Sequence, residues 1–407
     1  MGTVRLLKRF IDFNVERDTV EKLESSAAAE KELPTEVRCG LANTVTEFIA
    51  PCAAQPYKSA SRRKSFFPAA AVTGIGSLPL ANARSAIEAV ADFSPEIPFW
   101  PQLPRLSEGE GIIGQGLGLV AHLIEPREKG YGYQVKEGKV DAVLAILHRS
   151  TGELPLSNAA AFGAFEEALA GRLFRSAIAV KGQIEGPITL AAYLFYKDQP
   201  FLSDPALFAA IAFHVSQIIC WQIDRLQSVG LPVLLFVDEP GLCLPVQGAV
   251  SEEERLSALA VTLDGARVRG AIAGLHCCAA RPLERMCLIN PDILSFDAHE
   301  GLELFFADRH AREFVRGGGL VAYGIVPTWP SLEALDPAAL FARWLAAASL
   351  TGHLQELAHR AMITATCGLG LLEPSSVAES FKLAHGVSKL IRNLAGYVEE
   401  DFYAAGS

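Results

Sequence analysis

Short apolar runs recur along the chain from residue 69 onward, and each ends at a glycine, a proline or a polar residue. Apolar runs of this length bounded by such residues are typical of buried strands. Between them lie stretches with apolar residues at helical spacing, among them ANARSAIEAVADF and EEERLSALAVTLDGAR. The strand-like runs are AAAVTGIGSLP, EIPFWPQLP, SAIAVKGQIEGP, PVLLFVDEP, GAIAGLHCC, DILSFDAHE, GLVAYGIVPT and AMITATCGLG.

Strands that alternate with helices predict parallel pairing, because antiparallel neighbours need only a hairpin between them. We therefore predict the α/β class and, within it, a (β/α)8 TIM barrel over residues 66–407, a fold that takes about 250 residues or more. The alternative is an open doubly wound sheet. It is less favoured because GIGSLP, after the first run, lacks the third glycine of the dinucleotide-binding turn.

Residues 1–65 have a different character, since charges alternate there with Ser and Ala and the segment closes with KSASRRKS. This pattern predicts a poorly structured N-terminal extension. A targeting function is the weaker alternative.

Composition narrows the class of protein. A hydrophobic content of 50% is that of a globular chain, and the net charge of -10 argues against a nucleic-acid partner. No uninterrupted apolar run reaches the roughly 18 residues of a membrane span, and the N-terminus lacks the apolar core of a secretory signal. The eight cysteines are too irregularly spaced for a disulfide framework. We expect a cytoplasmic protein without a membrane partner, in which some thiols serve as ligands.

The unusual side chains stand at the ends of the predicted strands, and in a TIM barrel those ends form the active site. His276 and Cys278 point to the same side of a strand because they are two residues apart, whereas Cys277 points away. Together with Cys367 and a carboxylate about twenty residues after Cys278, they make a tetrahedral zinc site of mixed N, S and O ligands. Taken singly, each His or Cys is as readily a satisfied core residue.

Two further strand ends suggest what lies beside the metal. Asp238 and Glu239 either cap a helix or offer a carboxylate to a substrate ammonium. The turn GIGSLP offers backbone N–H groups and the Ser77 hydroxyl, which suit a carboxylate. Recognition of both groups beside a thiophilic metal indicates an amino-acid thiol as substrate.

Several of these pieces occur together and in order in one known family. Residues 69–395 resemble the catalytic domain of cobalamin-independent methionine synthase, especially its short, core-only members. The superfamily also contains uroporphyrinogen decarboxylase and zinc-dependent thiol methyltransferases. The matching pieces are TGIGSLP, EGPITL, VDEP, LHCC and TCGLG.

The resemblance implies a methyltransferase that methylates the thiol of homocysteine to give methionine, with no catalytic residue beyond the metal site. It implies Zn²⁺ held by His276, Cys278, Cys367 and an acidic residue. The acidic ligand is expected to be Asp297, where the apolar alternation of the strand ends; counting residues from Cys278 leads instead to Glu300.

The resemblance also implies where the amino acid binds. Ile75, Gly76 and Ser77 are expected to bind its carboxylate, and Asp238 its amino group.

The methyl donor stays open. The long synthases have two barrels and a His-bearing loop after the seventh strand, where this chain has GIVPTWPS. The donor is therefore either 5-methyltetrahydrofolate or a methyl-corrinoid, the latter delivered by a corrinoid carrier protein. The alternatives are a uroporphyrinogen decarboxylase-like enzyme, a methylcobalamin:thiol methyltransferase acting on another thiol, and a binding protein without turnover.

Overall fold

Seven parallel strands form the main sheet of this computed structural model, which describes residues 65–279, 283–328 and 335–396. The sheet order is β1-β11-β10-β9-β8-β7-β4. The strands, in chain order, are β1 Ala71–Val72, β2 Ile124–Pro126, β3 Tyr133–Val135, β4 Val180–Glu185, β5 Leu194–Tyr196, β6 Gln199–Pro200, β7 Val233–Asp238, β8 Ile272–Cys277, β9 Ile293–Asp297, β10 Leu320–Val326 and β11 Ala361–Ala365.

Helices connect these strands, as the alternating pattern predicts. They are α1 Ala83–Phe93, α2 Ile112–Gly116, α3 Val140–His148, α4 Phe162–Ala170, α5 Pro187–Ala192, α6 Pro205–Leu226, α7 Glu252–Val268, α8 Leu283–Leu288, α9 Ala298–Ala307, α10 Arg309–Arg316, α11 Pro337–Ser349, α12 Leu354–His359 and α13 Ser375–Ala395. The α/β class and seven of the predicted strands are thus confirmed. The predicted extension, residues 1–65, lies outside the described residues apart from Ser65.

The second apolar run, EIPFWPQLP, differs from the prediction because it does not form a ladder strand. Segment 96–102 instead joins the two edges of the curled sheet by isolated parallel bridges, Phe99 with Lys181 and Ser77 with Gln102. The eight-stranded closed barrel of the prediction is therefore, among the described residues, a seven-stranded sheet whose edges meet across this segment.

Prolines explain the missing strand. Pro98 and Pro101 have no N–H group, so this segment cannot donate the regular series of hydrogen bonds that a ladder needs. What remains is a small number of backbone bonds. Lys181 N donates to Pro98 O at 2.8 Å, Trp100 N donates to Lys181 O at 3.0 Å, and Gln102 N donates to Gly76 O at 3.0 Å.

The two faces of the sheet carry different side chains, as a period of two requires. The outer face packs against the helices in the larger hydrophobic core. The inner face forms a separate small cluster to which both the strands and segment 96–102 contribute. Its members are Phe66, Ala71, Ile97, Ala179, Leu234, Phe236, Ile272, Ile293, Leu320, Ala322 and Met362.

The connection before β4 is longer than the others and carries structure that the sequence pattern does not predict. A second sheet, β2-β3-β5-β6, combines strands of two or three residues from both sides of β4. Strands this short show no readable alternation of apolar and polar residues, which is why the pattern misses them.

Helix α6 begins at a well-formed cap. Asp204 Oδ1 accepts hydrogen bonds from Ala206 N and Leu207 N, and Pro205 occupies the first helical position. By length and composition Pro205–Val229 could cross a membrane. The search of the sequence for an uninterrupted apolar run does not find this segment, because polar residues interrupt it. More than half of its most apolar 18-residue window is buried within the described structure, as in the core helix of a globular protein.

Candidate functional site

Polar side chains meet at the carboxyl ends of neighbouring strands. Glu185 of β4 pairs in register with Asp238 of β7, and Asp238 pairs with His276 of β8. All three side chains are buried. Because register partners on parallel strands point to the same face, the three polar groups share one end of the inner face.

His276 is fixed in orientation by the next strand. Its Nδ1 lies 2.8 Å from Ser295 Oγ on β9. A histidine held at one ring nitrogen leaves the other, here Nε2, for a ligand, which is the usual arrangement in metal sites.

The adjacent cysteines point to opposite sides, as predicted. Cys277 lies in the outer hydrophobic core with its Sγ 3.8 Å from Cys243 Sγ. Cys278 is half-buried and hydrogen-bonds with Cys367, which follows β11. Because side chains alternate along the strand, Cys277 lies in the core and Cys278 lies in the site.

Cys367 lies in an environment that favours the thiolate. Hydrogen bonding from Cys278 and from His276 lowers the pKa of the Cys367 thiol well below its usual value, against the opposing effect of burial. The same hydrogen bond, together with burial, raises the pKa of Cys278, because Cys278 keeps the shared proton. The predicted imidazole and both predicted thiols are thus brought together.

Asp238 also belongs to this cluster. Burial raises the pKa of its carboxyl to about 6, and the electrostatic effects of His276 and Lys181 act in the opposite direction. Its Oδ1 is buried and has no hydrogen-bond partner among the described residues. Buried polar atoms are nearly always paired, so an unpaired carboxylate oxygen at a strand end marks a place for a ligand.

The neighbouring Glu239 caps a helix, the other of the two roles considered for Asp238 and Glu239. Its carboxylate accepts hydrogen bonds from Ile188 N at 2.9 Å and Thr189 N at 2.7 Å, and it also contacts the Thr189 hydroxyl. It therefore caps α5, the helix after β4, rather than the helix that follows it in the chain. Burial still raises its pKa to about 7.

Glu185 is a residue that the sequence reasoning missed. Burial raises the pKa of its carboxyl well above the usual value, and the charges of Asp238, Glu239 and Cys367 act in the same direction. Its Oε1 has no hydrogen-bond partner among the described residues. The signal was available, because Glu185 ends the third apolar run as Asp238 ends the fourth.

The two predicted acidic ligands have other surroundings. Asp297 is half-buried and caps α9, with its Oδ1 accepting from Glu300 N at 3.0 Å. Glu300 is exposed. Among the described residues, no hydrogen bond or ion pair joins either carboxylate to Cys278 or Cys367, and their roles as ligands stay predictions.

The predicted carboxylate-binding loop lies against the Cys367 loop. Ser77 Oγ accepts from Gly370 N at 3.2 Å, and Ser77 O accepts from Leu369 N at 2.9 Å. The approach is close, because a Cβ added to Gly368 would lie 2.2 Å from Ser77 Oγ. The loop of Ile75, Gly76 and Ser77 therefore packs against the loop that follows Cys367.

The donor set suits zinc, which takes Cys sulfur, His nitrogen and carboxylate oxygen in tetrahedral sites. In the ranges that the structure describes, no three or more His, Cys, Asp and Glu side chains are already arranged to hold a metal ion. The fit rests instead on the chemistry of the donors and on their mutual contacts: one imidazole that is held at Nδ1 and hydrogen-bonds Cys367, two interacting thiols, and the unpaired carboxylate oxygens of Asp238 and Glu185.

Solved structures resemble the chain at low sequence identity, and two of them are a methyltransferase and a methionine synthase. No family model and no curated protein matches the sequence. A methyltransferase from Methanosarcina mazei is 14% identical, with a TM-score of 0.47 over 85% of this chain and 98% of its own. A B12-independent methionine synthase from Shewanella sp. W3-18-1, in complex with selenomethionine, is 14% identical, with a TM-score of 0.41 over 57% of this chain and 68% of its own. Likeness at this level identifies neither a substrate nor a site residue.

Proposed function

We propose that the protein is a zinc-dependent S-methyltransferase that transfers a methyl group to the thiol of homocysteine and forms methionine. The observation that carries the proposal is the meeting of His276, Cys278 and Cys367 beside the buried carboxylates of Asp238 and Glu185. The resemblance of the motifs around these residues to methionine synthase supports the choice of reaction.

His276, Cys278 and Cys367 would hold the zinc ion, and a carboxylate would complete the set. When bound, Zn²⁺ would supply Lewis-acid chemistry: a coordinated substrate thiol, with a free pKa of about 8.5, would release its proton to solvent and be held as the thiolate. Asp297 is the oxygen ligand expected from the resemblance, and Glu185 competes with it because its charge interacts with both thiols.

The remaining residues bind and orient the amino acid. Asp238 accepts hydrogen bonds from the ammonium group, and the unpaired oxygen of Glu185 lies on the neighbouring strand end to share them. The N–H groups of Ile75 to Ser77 and the Ser77 hydroxyl receive the carboxylate. Gripping both ends of the amino acid fixes the sulfur relative to the donor.

The donor is a methyl-corrinoid, brought by a carrier protein, or 5-methyltetrahydrofolate. We place the reaction in the cytoplasm, where the thiols stay reduced.

The test is metal analysis of the purified protein followed by turnover assays. We expect about one zinc per chain, the number that the single cluster can hold. We also expect binding of homocysteine that depends on the metal, and methionine formation from methylcobalamin or from 5-methyltetrahydrofolate. Porphyrinogen decarboxylation that survives chelation would refute the proposal, and so would zinc-free protein that cannot be loaded. Metal-dependent binding of homocysteine without turnover from either donor would favour the binding-protein alternative.

A further inference from the structure

Lys181 is a buried lysine that the proposed mechanism does not use. It lies on the inner face of β4, is 2% exposed, and stands over the ring of Phe236 with Nζ 4.8 Å from the ring centroid. Nζ donates to Ile75 O at 2.6 Å and to Gln183 Oε1 at 2.9 Å. Among the described residues, no carboxylate lies within ion-pair distance of it. Burying an ammonium group without a carboxylate in direct contact is costly even when neutral oxygens accept its hydrogen bonds, so its position needs a reason.

The contact with Ile75 determines the direction of a neighbouring donor. A trans peptide holds its C=O and N–H groups antiparallel. With Ile75 O bound to Lys181, the N–H of Gly76 points away from the sheet interior. In the same way Gly76 O accepts from Gln102 N at 3.0 Å, which turns the N–H of Ser77 away from Gln102.

These N–H groups have no partner within the described part of the chain. The backbone N–H groups of Gly76 and Ser77 donate to no described residue, although Gly76 is buried. Successive unpaired N–H groups form a concavity that binds anions. The ammonium of Lys181 adds to this, because a positive charge at the carbonyl end of a peptide makes its N–H a stronger donor.

We propose that Lys181 is a positioning residue for recognition of the substrate carboxylate. By binding Ile75 O it fixes and polarises the Ile75–Gly76 peptide, so that Gly76 N–H is aimed at the anion. The inference rests on the proposed function, because it assigns how that site selects a thiol carrying an α-carboxylate. Lys181 itself does not touch the substrate.

The experiment compares two thiols that differ only in the carboxylate. Homocysteine and 3-aminopropane-1-thiol, which is homocysteine without its carboxylate, are titrated calorimetrically into the full chain as purified. Lys181→Met removes the charge and the donor at nearly constant volume. We expect it to weaken homocysteine binding about tenfold, the value of a hydrogen bond to a charged group, and to change binding of the analogue less than about twofold.

The matched control is Lys382→Met, which removes a lysine whose side chain is 77% exposed. It should leave both affinities unchanged. Lys181→Gln keeps a neutral donor, so we expect it to recover part of the loss, and it replaces the Met variant if the latter does not fold. Zinc content and melting temperature are measured for each variant.

The outcomes separate this inference from the proposed function. If the wild-type protein binds neither thiol, the proposed function fails. If it binds homocysteine but both thiols lose the same factor in Lys181→Met, or neither loses any, Lys181 has only a structural role and the inference is refuted. A loss confined to the thiol with the carboxylate is the supporting result, because general destabilisation would weaken both.

Discussion

Two buried polar regions of the molecule differ in how completely their groups are paired. On α6, His214 is bonded at both ring nitrogens, with Nδ1 2.7 Å from Ser150 Oγ and Nε2 2.8 Å from Gly116 O. At the strand ends, Asp238 and Glu185 each keep an oxygen without a partner among the described residues. A fully paired buried group stabilises the fold, whereas an unpaired one costs free energy that a ligand can recover. In these two regions, pairing distinguishes a structural histidine from two candidate functional carboxylates.

The same difference separates two adjacent residues. The carboxylate of Glu239 accepts hydrogen bonds from the N-terminus of α5. Asp238 has an oxygen without a hydrogen-bond partner among the described residues. Both residues are acidic and they are adjacent in the chain. They differ only in their tertiary surroundings.

The largest expected effect contrasts the two adjacent cysteines. Cys278→Ser removes a sulfur ligand, so zinc should fall to near zero and methyl transfer should fall by more than about 100-fold. Cys277→Ser should keep the metal and activity because this thiol faces the outer core. It should lose about 1–2 kcal/mol of unfolding free energy by burying a hydroxyl. Metal analysis and turnover on both variants measure this, and equal zinc loss would contradict the assignment.

The second contrast is between the two acids. Glu239→Ala leaves the donors of α5 unpaired and should lower the free energy of unfolding by about 2–4 kcal/mol. Asp238→Asn should raise it at pH 8 by about 1–3 kcal/mol. The pKa of Asp238, about 6, is above its unfolded value near 3.8, so its ionisation costs stability as the pH rises through 6.

Urea unfolding at pH 5 and pH 8 measures both effects. The same Asp238→Asn protein should bind homocysteine more weakly, because an amide does not hold an ammonium as a carboxylate does. If Asp238→Asn destabilised the protein at pH 8, Asp238 would belong with the paired, structural residues.

The third contrast concerns the loss of stability at low pH that is due to the fully paired His214. Burial lowers the pKa of His214 from 6.5 to about 4, so the unfolded chain takes up a proton there before the folded one does. The stability that His214 contributes is complete above pH 6.5 and is lost as the pH falls toward 4. Between pH 6.5 and 4.5 the loss should be about 2–3 kcal/mol. His214→Gln should remove this slope. Urea midpoints at the two pH values measure it, and an unchanged slope would show that His214 is not the group responsible.

The smallest expected effects decide which carboxylate completes the metal site. Asn caps a helix as well as Asp does, so Asp297→Asn should change the unfolding free energy by less than about 0.5 kcal/mol. As the ligand expected from the resemblance, it should lower zinc affinity about tenfold. Glu300→Gln, at an exposed position, should change neither quantity. Competition with a chelator measures the affinity, and a loss seen only in Glu185→Gln would assign the role to Glu185.

Much of the fold was predictable because it depends on local periodicity. The apolar runs identify the seven ladder strands, and the period of two correctly separates Cys277 from Cys278. The failure at EIPFWPQLP had a local cause as well, since Pro98 and Pro101 remove the donors that a ladder strand needs.

The rest depends on contacts between distant parts of the chain. Glu239 caps a helix that begins about fifty residues earlier, and Lys181 reaches Ile75 from the opposite side of segment 96–102. The residue spacing around Glu239 or Lys181 does not predict either contact. Glu185 falls between the two cases, because the strand-end rule points to it but only the structure reveals its unpaired oxygen.

Lys181 has two attachments on one residue. Its backbone bonds to Pro98 and Trp100 of segment 96–102, while its amine bonds to Ile75 O. Separation of segment 96–102 from β4 would therefore also disturb the amine that orients the recognition loop. Closure of the sheet edges and orientation of the loop for its anion are in this way mechanically coupled through one residue.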